Sequence, residues 1–425
     1  MNIQLDSNEK RFYLSLAILF LFFYFFRIFS KNYFLVDSYE YIEIAKYISN
    51  QMFFDSSINP SLLTKRPFFY PLFLSFLLKF KIEIIILIQT FFAFSNSFIL
   101  VQILKKFNVQ IKPYHVLFFL LTPSIFIYSQ LIMSEWLLMF LINLKFWLFT
   151  QKWSNRNFFF IQILTILLAF TKPVFYPFIY LNFVYFFIFF FKKKVFSFFI
   201  FLPIILLQLY LNHNETRTGY KHFSSIENKN LINYNLFYFK SFTNSPKEAQ
   251  IWLDSIYNVE YEKMDFQKQN EYLKQIGIST IKDDFFRYTF YHVVNAFRGV
   301  LDPGRFDLMT FFNKEDGNQG FLEILNGKKR FSSLFENNFF VLYLLLIPIF
   351  LFAILKVFLF SNALIFNRYS FYLNYIIMLF FYCILITGPI NCSRFMMPLQ
   401  GIIFVFCIVG INSYYKKKNI NASQN

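Results

Sequence analysis

The run from Phe12 to Phe29 carries one charge, Arg27, and neither Gly nor Pro. A run of that length and polarity is enough to cross a bilayer, whose hydrocarbon core takes about 20 residues of helix. Comparable apolar runs recur along the chain. Inside hydrocarbon every backbone polar group must be satisfied by the chain itself, so a spanning segment is a helix or a strand of a closed barrel. These runs are continuous rather than alternating, which excludes barrel strands. The sequence therefore predicts an all-α polytopic membrane protein. The hydrophobic fraction of 57% and mean hydropathy of +0.45 agree with that class. The 70 Phe beside only 10 Gly read as a coding bias, not as a functional signal. Three cysteines, Cys383, Cys392 and Cys407, have no paired spacing and supply neither a disulfide framework nor a metal motif. No small-residue cleavage site follows Phe29, so the first run reads as a retained helix.

About ten spanning helices are expected. Lys10 and Arg11 precede the first, which puts the N-terminus in the cytoplasm. The first outer loop then covers 30–83. Its apolar stretch Leu72 to Phe80 is too short to span and reads as a juxtamembrane or re-entrant helix. Helices two to seven follow to about 211, helix three among them over about Tyr114 to Ile132. A large outer region spans 212–336 and includes an amphipathic stretch from Asp283 to Phe297. The segment 337–425 holds three more helices and a basic tail. With this arrangement Lys105, Lys152, Lys192 and Lys416, with their basic neighbours, all fall inside. Of the 24 carboxylates, only Asp6 and Glu9 do. The net charge of +17 is then an anchoring charge and not a nucleic-acid surface. Both termini are expected in the cytoplasm of a bacterial plasma membrane.

Asp37 with Glu40, Arg66, Glu135, Lys172 and Arg394 each fall at an outer membrane boundary. Ionisable groups at that depth are costly and mark functional sites. A carboxylate there can act as general base on a hydroxyl, and several cations can stabilise a phosphate leaving group. Each residue also has a plainer role. Asp37 and Glu40 have the spacing of a capping pair opening a helix over 38–50. Arg66 before Pro67 can snorkel to the interface, and Glu135 can cap the helix it begins. Tyr41 and Tyr70 can stack on a sugar or belong to an interfacial aromatic belt. His115, His213, His222 and His292 show no metal-ligand spacing, and a divalent ion held by an outer carboxylate and one of the three outer histidines is left open as a cofactor.

The order of these features resembles that of GT-C fold glycosyltransferases, the superfamily of the protein O-mannosyltransferases and lipid A aminoarabinose transferases. Asp37-Ser38-x-x-Tyr41-x-x-x-Ala45 resembles their first extracytoplasmic loop. Arg66-Pro67-x-x-Tyr70-Pro71 is similar to their basic-Pro segment. Pro123 through Ser134-Glu135, Thr171-Lys172-Pro173 and Ser393-Arg394-Phe395-x-x-Pro398 resemble later motifs in the same order. Many members have Asp-Glu where this chain has Asp37-Ser38. The resemblance covers about 1–210 and 385–412.

It implies an inverting transferase that takes a sugar from a polyprenyl-phosphate donor. Asp37 is then the expected base, with Glu40 beside it. Arg66, Lys172 and Arg394 would hold the donor phosphate, and Glu135 would serve the acceptor or act as a second acid. The acceptor would be an extracytoplasmic glycan, lipid or protein. The competing readings are an envelope polysaccharide polymerase or ligase, and a transporter or membrane scaffold. A transporter predicts charges near mid-membrane or an internal repeat. Arg27 and Lys145 are the only candidates for such charges, and both are expected to snorkel.

Overall fold

Asp6 caps the first helix, Ser7–Ser30. Its carboxylate accepts the Glu9 amide at 2.7 Å, and the Glu9 side chain accepts the Asp6 amide at 3.3 Å. Lys31, at φ 53°, ends the helix in the left-handed region. The computed structural model describes residues 5–53, 55, 58–312, 340–367 and 369–422, so 313–336 of the expected outer region lies outside the described residues.

No strand occurs among the described residues. Among the same residues six helices are long and apolar enough to cross a membrane: Ser7–Ser30, Ile82–Lys106, Pro173–Lys193, Leu344–Phe366, Phe371–Ile390 and Ser393–Tyr414. They expose large apolar side chains such as Leu14, Phe22, Phe91, Leu351 and Phe358. In water such surfaces would be a liability, and in lipid they are ordinary. These are the helices of an integral membrane protein.

Among the described residues these six, and not the expected ten, are shown. Glu135–Phe149 has 15 residues, fewer than a crossing takes, and Asn155–Thr171 has 17, at the lower edge of the spanning range. The run 114–132 is not one helix. It breaks into Pro113–Val116, Leu117–Leu120 and Ser124–Ser129. Pro123 lacks an N–H and disfavours helix at the residue before it. Thr122 turns its hydroxyl back onto the Phe118 carbonyl at 2.7 Å.

Opposite ends of the bundle are pinned by different pairs. Lys105 Nζ sits 2.5 Å from the buried Glu9 carboxylate at one end, and Tyr24 donates to the Glu83 carbonyl at 3.3 Å towards the other. Gly401 has no Cβ, which lets the last helix lie against Asn143. Asn143 in turn donates to Asn96 Oδ1 at 2.8 Å.

Neither Arg27 nor Lys145 snorkels; both are fully buried. Arg27 donates to the Asn32 carbonyl at 2.7 Å and stacks on Phe311. Lys145 donates to Thr165 Oγ1 at 2.6 Å and Tyr375 Oη at 2.7 Å. Tyr375 passes the chain on to Asn182, and Asn182 to Gln162. Neighbouring helices supply polar partners at depth, so the side chains need not reach for water. Lys356, within another span, is half-buried and donates to Thr122 and Gln400.

Beyond Leu202–Thr218 the chain stays helical to Phe311. That region has its own small apolar core, built on Ile232, Leu236, Phe239, Ile256 and Leu273.

Candidate functional site

The helix Val36–Ser49 begins with Ser38 accepting the Leu35 amide at 2.9 Å. Capping therefore falls to Ser38 and not to the Asp37–Glu40 pair. Both carboxylates are left to make long-range contacts. Tyr41 pairs with Ser134 Oγ at 3.1 Å, and the Ile132 amide donates to the Tyr33 carbonyl at 2.9 Å. These bonds fasten the loop helix to the turn that starts Glu135–Phe149.

A second set of bonds positions Lys65 and Arg66. Ser224 Oγ donates to the Lys65 carbonyl at 2.7 Å, and Ser225 Oγ to the Ser61 carbonyl at 2.6 Å. His222 Nε2 lies 2.9 Å from Thr64 Oγ1. Residues 222–225, from beyond the Leu202–Thr218 helix, thus hold the loop that presents both cations.

Asp37, Glu40, Arg66, Glu135, Lys172 and Arg394 form one continuous ion-pair network. Arg66 Nη2 donates to Asp37 Oδ1 at 2.8 Å, and its Nε to Glu40 Oε2 at 2.6 Å. Arg394 Nη2 donates to Asp37 Oδ2, and its Nε to Glu135 Oε1 at 2.7 Å. Lys172 Nζ donates to the same Glu135 oxygen at 2.8 Å. Lys65 closes the edge, 2.6 Å from Glu40 Oε1. Nothing in the spacing of Lys65 marked it beyond its place beside Arg66. Phe395 lies beneath Lys172, with Nζ 4.8 Å from the ring centre.

The network is half-buried at Asp37 and closed at Glu135. Burial opposes ionisation of Asp37, but the Arg394 and Arg66 guanidiniums outweigh it and hold the carboxyl at about 2. Glu135 Oε2 is buried and has no hydrogen-bond partner. Four cations meet three carboxylates here, which leaves one positive charge in excess. The arrangement suits an anion with several acceptor oxygens, since guanidinium forks match phosphate and carboxylate geometry.

Tyr41 and Tyr70 do not offer ring faces to a ligand. Both are buried, packed edge to face at 4.9 Å. Tyr70 donates to Gln89 Oε1 at 2.8 Å, and Gln89 to the Leu131 carbonyl at 2.9 Å. Stacking on a sugar is therefore replaced by packing under the site. Among the described residues no group of three His, Cys, Asp or Glu could hold a metal ion.

Beside Arg394 lies a further acid, Asp307, that no motif singled out. Tyr128 donates to its Oδ1 at 2.6 Å, while its Oδ2 is buried without a hydrogen-bond partner. Burial, opposed by Tyr128 and Ser393, pushes its carboxyl up to about 7. Asp302 accepts the Ser393 amide at 2.8 Å and so braces the residue before Arg394. The signal available in the sequence was the Asp302-Pro303-Gly304 turn, which gives a bend but no partner.

No protein-family model, no curated protein and no solved structure matches this chain.

Proposed function

We propose that the chain is an integral-membrane inverting glycosyltransferase. It moves a sugar from a polyprenyl-phosphate donor to an extracytoplasmic acceptor, using the network around Asp37. The observation that supports this reading is the meeting of Asp37, Arg66, Glu135, Lys172 and Arg394 from distant parts of the chain. They meet where the spans begin or end, so a donor tail can stay in the bilayer while its phosphate reaches the cations.

In the proposed reaction the acceptor hydroxyl gives its proton to Asp37. Its oxygen bonds to the anomeric carbon on the face opposite the phosphate. The bond from that carbon to the phosphate oxygen breaks, and polyprenyl phosphate leaves with the electron pair. Arg66, Lys172 and Arg394 meet its charge. With two guanidiniums on it, Asp37 is a weak base, because a base works best with a pKa near the operating pH. Donor phosphate competes for those same guanidiniums. Occupancy by donor thus releases Asp37 for proton transfer.

Protein in lipid vesicles, supplied with a polyprenyl-phosphate-linked radiolabelled sugar, tests the reading. Asp37→Asn should lower transfer by about 100-fold or more, the usual contribution of a general base. Transfer at a near wild-type rate would remove Asp37 from that role.

A transporter is the second reading with an observation in its favour. Lys145 is buried and Lys356 half-buried within the helical bundle, both against neutral partners. Solute flux that is lost in Lys145→Met or Lys356→Met but kept in Asp37→Asn would favour it.

A further inference from the structure

The helix Phe285–Arg298 is strongly one-sided. At about 100° per residue, Phe286, Phe290, Val293, Val294 and Phe297 share one arc of the helix surface. All five are exposed, Phe286 at 86% and Phe290 at 71%. No polar residue falls within that arc. The opposite face is turned inward through Tyr288, Tyr291 and Ala296.

The position of the helix indicates what covers the stripe. His292 Nε2 lies 2.8 Å from the Leu385 carbonyl, near the end of the Phe371–Ile390 span. Phe297 and Phe381 place their rings 6.4 Å apart. Leu385 and Ile386 are themselves exposed on that span. The stripe therefore continues the lipid-facing surface of a membrane helix. Lys282, Arg287 and Arg298 are exposed around the ends of the helix, with exposed Asp283 beside Lys282 and Arg287 3.8 Å from Asp284. An apolar stripe whose flanks carry Lys282, Arg287 and Arg298 against Asp283 and Asp284 keeps a small positive excess, which suits a helix lying in the surface of an anionic bilayer.

The inward side of the same helix reaches the network. Asn391 donates to the Ala296 carbonyl at 2.6 Å. The His292 ring fills the space that Gly388 leaves, and Asn391 fills the space beside Gly299. The turn after the helix carries Asp302, which holds the Ser393 amide. Arg394 is the next residue.

We propose that Phe285–Arg298 is an interfacial foot: it seats its apolar stripe in the surface of an anionic bilayer and thereby positions the 388–393 turn that presents Arg394. The proposal stands apart from the transferase reading, because its test involves no sugar transfer.

The test uses full-length protein in phosphatidylcholine vesicles containing phosphatidylglycerol. A polarity-sensitive fluorophore is attached at Phe290→Cys, with Lys268→Cys as the control on the polar outer surface and labelled wild type as the blank. Phe290→Cys should emit at shorter wavelength and be quenched several-fold more than Lys268→Cys by lipid spin-labelled near the headgroup. Equal quenching at both positions would overturn the foot. So would protection at position 290 that fades as the protein is diluted in lipid, because a second copy would then be the cover. In the double variant Phe286→Ser/Phe290→Ser, amides of 388–396 should exchange hydrogen faster in vesicles. Unchanged exchange would overturn the positioning of Arg394.

Discussion

Arg394 reaches two carboxylates at once, Asp37 and Glu135, and Lys172 shares Glu135 with it. Glu135 is fully buried, so its charge is tolerated only because both cations stay. Glu135→Gln would leave Lys172 and Arg394 short of a counter-charge in a closed site. A loss of about 3–5 kcal/mol is expected, the usual cost of orphaning a buried ion. Adding Lys172→Met should recover part of that loss. Thermal unfolding of the two single variants and the double variant closes the cycle, and strict additivity would show that the pair is not coupled. Asp307 behaves oppositely to Asp37 with pH. Its folded value, about 7, lies above its ordinary 3.8, so the folded state holds the proton more tightly. Stability should fall as pH rises from about 4 to 7 and then level off. Asp37, depressed to about 2, contributes stability above 3.8 that is lost as pH falls towards 2. Comparing unfolding of wild type and Asp307→Asn across pH 4–8 isolates the first effect. Identical slopes would mean Asp307 is not buried in its acid form.

Gly388 sits at φ 53° where the Phe371–Thr387 helix turns towards Ser393. Any Cβ there would overlap the His292 ring. Gly388→Ala should therefore cost about 1–3 kcal/mol through overpacking, with added strain from the positive φ. Its melting temperature should drop, and relieving the overlap with His292→Ala should restore part of it. Helices of this kind are legible in a sequence when an apolar run is long and unbroken, as Phe12–Phe29 and Ile84–Leu104 are. The run 114–132 misleads because hydropathy averages over Pro123 and takes no account of the backbone break it causes. The network residues could be found because each charge stands at the end of an apolar run. Lys65 lies between Thr64 and Arg66, and Asp307 stands in no long apolar run, so neither carries such a contrast. Tyr41 and Tyr70 show the reverse limit: an aromatic beside a charge looks the same in sequence whether its face is open or packed. Only the contacts of Tyr41 with Ser134 and Tyr70 with Gln89 separate the two.

The two ends of the molecule differ in charge, one strongly basic and the other close to balanced. The helix ends near Lys105, Lys152 and Lys192 lie away from the network, and the Glu9–Lys105 pair marks that end. The end with the network carries the acid-bearing loop of Asp37 and the helical region after Thr218. A bilayer with an anionic inner surface retains clusters of Lys and Arg on that side. The charge pattern thus predicts an orientation, and the transferase reading depends on it, because its acceptor lies outside the cell. Cysteines placed at exposed Asn155 and Lys268 report the two ends directly. In intact cells a membrane-impermeant maleimide should label Lys268→Cys and leave Asn155→Cys untouched until the membrane is opened. The reverse pattern would put the network in the cytoplasm. The four cations and three carboxylates would still meet, but donor and acceptor would then have to be cytoplasmic. The proposal of an extracytoplasmic glycosyl transfer would be withdrawn, while the ion-pair network and its energetics would stand unchanged.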